Sequence, residues 1–317
     1  MASTSNARHA VVVGCGLMGV DIAAIFLNAG WSVTGIEPEP ARWPKARERA
    51  AASVAQLEGR LDPAAFTLVG DATQVRWDDG ALVIECAPEQ LELKRRIFRQ
   101  LDTLVPPTVP IGSNSSGLPI SRITDGCRTA GRMANAHFFL PAHLVPLVEL
   151  AKGEQTSRET LGVMRSIFKD VGRVPVQIDQ DLPGFLANRI QHALMREAFS
   201  IIDRGLATPE DVDAAVRYGF GLRYLAAGPI LQKELSGLET QLAASSAIYP
   251  SLCNDTQPSA GLAARVSRGE LGAKTLKGFW SWTEETLADA RRRFETTLLA
   301  AARLLRDERG SERPVDQ

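Results

Sequence analysis

Two ionisable residues raise the first chemical question. His137 lies in Ala136-His137-Phe138-Phe139-Leu140-Pro141, and Glu149 lies inside the apolar run Val145-Pro146-Leu147-Val148-Glu149-Leu150. A carboxylate in such a run is costly to bury unless it is paired, and an imidazole is a natural partner. Bonded to one ring nitrogen, the carboxylate would fix the tautomer and leave the other nitrogen as a base. Such a pair can take the proton from an alcohol while hydride leaves the same carbon. The same residues also fit a surface histidine and an edge-strand glutamate. A zinc site built from His137, His143 and His192 lacks the HExxH or CxxC spacing such sites use, so no metal is expected. Two further segments carry polar groups, Ser113-Asn114-Ser115-Ser116-Gly117 and Pro183-Gly184-Phe185-Leu186-Ala187-Asn188-Arg189. Taken singly, they read as a polar turn and a helix start.

A second pattern points to a nucleotide. Val11-Val12-Val13-Gly14-Cys15-Gly16-Leu17-Met18-Gly19 is a strand, then G-x-G-x-x-G, then a helix. Gly14 permits the tight turn, Gly16 lets the backbone approach a pyrophosphate, and Gly19 lets helix and strand pack closely. The helix start at Leu17 and Met18 offers free N–H groups and a partial positive charge to phosphates. Glu37 ends the next strand. An acid there accepts hydrogen bonds from the ribose hydroxyls and repels a 2′-phosphate, which favours NAD over NADP. A flavin dinucleotide shares the fingerprint, but no second flavin signature is visible.

These residues need elements to hold them. Ala10–Val13, Ser32–Ile36, Ala81–Cys86, Val109–Ser113, Arg132–Phe139 and Val174–Ile178 read as strands. Leu17–Ala29, Ala41–Leu57, Leu91–Leu104 and Ser157–Val171 read as helices between them. The alternation predicts a doubly wound, mostly parallel α/β sheet of Rossmann type over residues 1–182. After Pro183-Gly184 the strand composition stops, and an all-helical domain is expected over 183–317. Phe185–Arg204 is one long helical run. Thr208-Pro209-Glu210-Asp211 is a helix start, Ala227-Gly228-Pro229 a break, and Glu284–Arg306 a charged amphipathic helix.

Composition bounds the rest. The 317 residues are 44% hydrophobic and 23% charged, as in an ordinary globular protein. Lys plus Arg number 36 against 37 Asp plus Glu, so no basic excess suggests nucleic acid or an anionic membrane. Cys15, Cys86, Cys127 and Cys253 form neither a CxxC pair nor a disulfide framework, and a reducing cytoplasm is the simplest compartment. The longest apolar stretch, from Ala10 to Trp31, carries Asp21, Asn28 and several glycines, which suits no membrane span.

Taken together, the chain resembles the 3-hydroxyacyl-CoA dehydrogenase superfamily over nearly its whole length. The resemblance rests on the glycine fingerprint, Glu85-Cys86-Ala87-Pro88-Glu89 with Lys94, the Ser-Asn-Ser-Ser segment, the His-x-x-x-Pro segment, Pro-Gly-Phe-x-x-Asn-Arg, and Lys277-Gly278-Phe279-Trp280. It implies that His137 is the general base in oxidation and the acid in reduction, with Glu149 orienting it. Ser116 and Asn188 would hydrogen-bond the reacting oxygen. Asn114 would lie by the nicotinamide, and Ala87, Glu89 and Lys94 would meet the cofactor near its ribose. The helical domain would supply most of a homodimer interface.

Two departures bear on the substrate. Leu140 stands before Pro141 where the acyl-CoA enzymes usually have Asn, and the segment between Glu37 and Glu89 is short where those enzymes carry an extension that holds CoA. Gly219-Phe220-Gly221-Leu222-Arg223-Tyr224 is similar instead to the branch of gulonate 3-dehydrogenase (lambda-crystallin), carnitine dehydrogenase and a pyridine-carboxylate dehydrogenase. Arg223 offers a planar fork for a carboxylate, although a helix-surface charge paired with an acid reads the same way. The reading that follows is NAD-dependent oxidation of a hydroxyl β to a free carboxylate. A CoA thioester substrate and a non-catalytic, crystallin-like NAD-binding role stand as the alternatives.

Overall fold

The computed structural model describes residues 8–77 and 80–311. Contacts divide the chain into two compact units, one ending at Ala187 and one beginning at Asn188. The first is an eight-stranded sheet with strands β1 (His9–Val13), β2 (Ser32–Ile36), β3 (Phe66–Val69), β4 (Gly80–Glu85), β5 (Ile111–Ser113), β6 (Met133–Phe138), β7 (Leu147–Ala151) and β8 (Val174–Ile178). Their order is β3-β2-β1-β4-β5-β6-β7-β8. All neighbours run parallel except β6 and β7. The mostly parallel α/β sheet expected from the sequence is therefore present, with two strands, β3 and β7, beyond those read from it.

Helices cover both faces, as parallel crossovers require. They are α1 (Leu17–Asn28), α2 (Trp43–Gln56), α3 (Leu91–Leu104), α4 (Ile120–Ile123) and α5 (Arg158–Asp170). The two-residue period of β1 sorts the core. Ala10 and Val12 join Ala23, Phe26, Val54, Met164 and Phe168 on one face. Val11 and Val13 join Phe98, Leu101, Ile111 and Ile123 on the other. Nearly all of α1 is buried, and its buried residues are apolar with one exception.

That exception is Asp21. Its carboxylate receives both arms of Arg49 at 2.9 Å and the Ser53 hydroxyl at 3.1 Å, and His143 Nδ1 stands 3.3 Å away. His143 Nε2 pairs with Gln56, so the connection between β6 and β7 is fastened to α1 and α2. The stretch Ala10–Trp31 is thus a strand and a helix with a paired acid inside. Among the described residues no helix is long and apolar enough to cross a membrane.

The second unit is helical: α6 (Ala187–Asp203), α7 (Pro209–Ala214), α8 (Gly221–Arg223), α9 (Pro229–Ser236), α10 (Leu238–Ile248), α11 (Ala260–Ser267) and α12 (Glu284–Ser311). Thr208 caps α7 by accepting the Asp211 N–H at 3.1 Å, with Pro209 in the first turn, as the sequence suggested. Gly228 and Pro229 open α9. The segment Ala215–Phe220, kinked at Gly219 (φ −92°, ψ −106°), joins α7 to α8.

Burial alone would raise the Asp21 carboxyl, but the His143 ring and the Arg49 guanidinium outweigh it and hold the group below its ordinary value. A depressed carboxyl contributes stability that is present above its unfolded pKa and lost as pH falls through the folded one. Asp21→Asn should therefore cost about 3 kcal/mol at neutral pH. It should also flatten the acid limb of stability below about pH 4. Denaturant unfolding of both proteins across pH tests this, and equal stability at pH 7 would refute it.

Candidate active site

One row of paired residues crosses the sheet: Ile36, Val13, Glu85, Ser113 and Asn135, on β2, β1, β4, β5 and β6. These strands are parallel, so the row marks the carboxyl ends of β2, β1, β4 and β5, while β6 runs on to Phe138. The residues that follow are Glu37, Gly14, Cys86, Asn114 and Ala136. Most of the sequence-predicted site residues of the first unit thus lie at or just past one edge, where open α/β sheets bind their ligands.

The glycine loop has the shape its spacing implied. Gly14 adopts φ +90°, its N–H donates to Ile36 O at 2.8 Å, and an added Cβ would press on the Cys86 carbonyl at 3.0 Å. A Cβ on Gly19 would run into the Gly14 carbonyl oxygen, whereas space beside Gly16 is open. The start of α1 at Leu17 and Met18 has no side-chain cap and no acid in its first turn. Its first N–H groups are therefore available to an anion. Glu37 is buried at the end of β2, with Oε1 accepting the Glu39 N–H at 3.2 Å. These features fit a dinucleotide with free ribose hydroxyls. Burial, with the Glu37 charge adding to it, pushes the Cys15 thiol up to about 12, so it packs as a neutral group.

In the next segment Lys94 reaches back to the end of β4. Its side chain is 1% exposed, with the ammonium turned inward. It donates to both Glu85 oxygens at 2.8 and 2.9 Å and to the Ala87 carbonyl at 3.0 Å, which uses its three protons. Glu85 also accepts from the Ala87 N–H at 2.6 Å and the Ser113 hydroxyl at 2.7 Å. Lys94 therefore shapes the Cys86-Ala87 loop, and its ammonium also stands 3.7 Å from Glu89 Oε2. Glu89 is half-exposed and accepts from Ser115 Oγ and the Gly117 N–H. Ser115 is thereby occupied, and Ser116 beside it is exposed. Asn114 accepts the Phe138 N–H at 2.8 Å, which ties this loop to the end of β6.

His137 and Glu149 stand directly opposite each other in the antiparallel β6–β7 pair. Opposed residues share a face, so their side chains meet. His137 Nδ1 lies 2.8 Å from Glu149 Oε2, and both groups are buried. The other oxygen, Oε1, accepts the Leu186 and Ala187 N–H groups at 3.0 and 2.6 Å. These two N–H groups lie at the junction where the Pro183-Gly184-Phe185 turn enters α6. An ionised carboxylate only accepts, so Nδ1 is the donor and Nε2 carries the lone pair. Rings of Phe139 and Phe185 flank the imidazole at 4.5 and 5.4 Å. Leu140, the departure from the acyl-CoA pattern, is 57% exposed just beyond.

The second unit holds the other two expected residues. Asn188 is in the first turn of α6, and Arg223 is the last residue of α8, four residues after the kink at Gly219. Arg223 is exposed, with no acid paired to it among the described residues. Sequence reading missed Glu85, Ser113, Ser115, Phe185 and the Leu186 and Ala187 N–H groups. The Pro-Gly-Phe motif was the signal for the last three.

Comparison with known proteins agrees with this architecture. The model of the 3-hydroxyacyl-CoA dehydrogenase NAD binding domain matches residues 9–182, and that of the C-terminal domain matches 184–282. A 5-formyl-3-hydroxy-2-methylpyridine 4-carboxylate 5-dehydrogenase of Mesorhizobium japonicum is 30% identical over 94% of this chain and 98% of its own. An L-carnitine dehydrogenase of Streptomyces coelicolor is 35% identical over 77% of this chain and 78% of its own. A crystal structure described as that same pyridine-carboxylate dehydrogenase, an NAD+ dependent dismutase, superposes with TM-score 0.88 at 28% identity, covering 94% and 98% of the two chains. The chain belongs to the 3-hydroxyacyl-CoA dehydrogenase family. It is an NAD-dependent dehydrogenase acting on CH–OH groups, and its relatives include the branch the sequence resembled.

If Lys94 is a buried counter-ion, Lys94→Met strands the Glu85 carboxylate and should lower stability by about 3–5 kcal/mol in denaturant unfolding. A variant of unchanged stability that binds NAD more weakly would return Lys94 to direct cofactor contact.

Proposed function

We propose that this dehydrogenase interconverts a hydroxyl and a ketone β to the carboxylate of a small free acid, with His137 and Glu149 handling the proton. The observation that carries this reading is the Glu149 carboxylate bonded to His137 Nδ1, which leaves Nε2 as a base at the carboxyl edge of the sheet. In oxidation, His137 Nε2 takes the hydroxyl proton as the C–H pair departs from the same carbon. Bound NAD+ supplies the acceptor for that hydride. In reduction His137 returns the proton to the carbonyl oxygen. Glu149 stays ionised throughout and balances the imidazolium. Ser116 and Asn188 hydrogen-bond the reacting oxygen. Leu17 and Met18 present N–H groups to phosphate, Glu37 and Glu89 accept from ribose, and Asn114 borders the nicotinamide.

Arg223 anchors the substrate carboxylate in this reading. Its support is an exposed guanidinium with no acid paired to it among the described residues, just after the chain kinks at Gly219. Leu140 adds to the case, because it puts an apolar side chain where the thioester enzymes have an amide. The two relatives described above act, by their names, on a pyridine carboxylate and on carnitine. All four cysteines are free thiols, in keeping with a reducing cytoplasm.

A homodimer completes the reading. In the second unit Leu287 is the one buried side chain among the described residues, while Ile230, Leu235 and Leu242 are each more than 70% exposed. A helical unit without a buried core lacks the apolar burial that offsets chain entropy. A second copy of this chain supplies the cover. Sedimentation at micromolar concentration should give twice the chain mass, and a stable monomer would exclude this.

Turnover followed by NADH absorbance separates the substrate classes. The panel is L-3-hydroxybutyrate, L-gulonate, L-carnitine, a hydroxymethylpyridine carboxylate and acetoacetyl-CoA, each with NAD(H) and NADP(H). A free acid should react with NAD(H) and the thioester should not; strong thioester turnover would reverse the assignment. With the reactive acid, His137→Ala should cut kcat by about two to four orders of magnitude. Arg223→Ala should raise KM roughly tenfold to a hundredfold, as for a lost charged contact. Near-normal kcat in the first variant, or unchanged KM in the second, would remove that residue from its role.

A further inference from the structure

Phe185 joins three unusual features at one residue. It is not glycine, yet its φ is +46°, in the left-handed region that bulky side chains avoid. It follows Gly184 at φ +77°, and its N–H donates to Leu182 O at 3.0 Å, which closes a tight turn. Its ring is 3% exposed and packs 5.4 Å from the His137 imidazole. The next two N–H groups in the chain, those of Leu186 and Ala187, are the ones that converge on Glu149 Oε1.

Strain of this kind persists only where the surroundings over-determine it. Glycine would relieve it, so an aromatic residue kept there points to a use for the ring. The two consequences of the turn act on the same pair. Its backbone aims two donors at one carboxylate oxygen, which directs the other at Nδ1. Its ring, with that of Phe139, packs on the imidazole, which is buried together with its carboxylate partner.

We propose that Phe185 is a positioning residue for the His137–Glu149 pair, holding the imidazole in the single tautomer with the proton on Nδ1. The inference deepens the function proposed above and rests on its reading of His137 as the base. Phe185→Leu keeps a buried apolar side chain and should preserve the fold. Phe185→Tyr keeps the ring and serves as the conservative rescue.

The test has two readouts on the full-length protein saturated with NAD+. The first is nitrogen-15 NMR of the imidazoles, with the His137 signals identified by their loss in His137→Gln. In the parent protein and Phe185→Tyr, His137 should show the Nδ1–H tautomer alone; in Phe185→Leu it should show a mixture. The second is steady-state kinetics with the reactive member of the panel. Phe185→Leu should lower kcat about tenfold to a hundredfold, as for a misplaced catalytic group, with both KM values within about threefold. Phe185→Tyr should restore most of kcat. A pure Nδ1–H tautomer in Phe185→Leu, or a kcat within twofold of the parent, overturns the inference. If His137→Ala keeps its turnover, the proposed function fails instead, and the NMR result still decides whether Phe185 holds the tautomer.

Discussion

Glu149 is the interaction on which the site depends. A carboxylate with no solvent exposure is tolerated only when donors replace its lost water. Here they come from two directions: an imidazole on the neighbouring strand, and two backbone N–H groups at the start of α6. Neither source could be moved alone without leaving an oxygen unpaired. The strand pairing, the helix start and the tautomer of His137 are consequently one constraint seen from three sides.

The same device recurs twice in the first unit. Asp21 gathers Arg49, Ser53 and His143, and so joins α1 and α2 to the β6–β7 connection. Glu85 gathers Lys94, Ser113 and the Ala87 N–H, and so joins β4 to α3 and β5. Each buried acid sits where loops must hold a defined shape although apolar packing has no directional preference there. Hydrogen bonds to charge supply the direction. The sheet provides the row of strand ends, and the three acids fix much of what projects from it.

The sequence made much of this legible. The runs that became β1, β2, β4, β5 and β8 are rich in Val and Ile, and the period of two along β1 is what divides the core between faces. Strand β7 was harder to see. Its run opens after Pro146 and contains a charged residue, and its antiparallel direction depends on a partner that spacing does not name. Strand β3 is only four residues long, with an exposed Thr67. Lys94 illustrates a different limit. A lysine on an amphipathic helix reads as surface charge or ligand contact, and only the neighbouring strand end, where Glu85 points inward, makes it a buried counter-ion. Pro-Gly-Phe read as a helix start, which it is, but its backbone conformation was invisible in the letters.

The opposition of His137 and Glu149 is set by cross-strand register, and register has a strict parity. A slip of one residue in β6 or β7 would carry one partner to the other face of the sheet. Lengthening the connection between these strands shifts neither of them. The two kinds of mutation therefore differ in effect: an insertion inside either strand breaks the opposition, whereas one at the exposed Leu140 leaves the register unchanged. A lineage built this way can vary that connection while the His137–Glu149 pairing stays in frame.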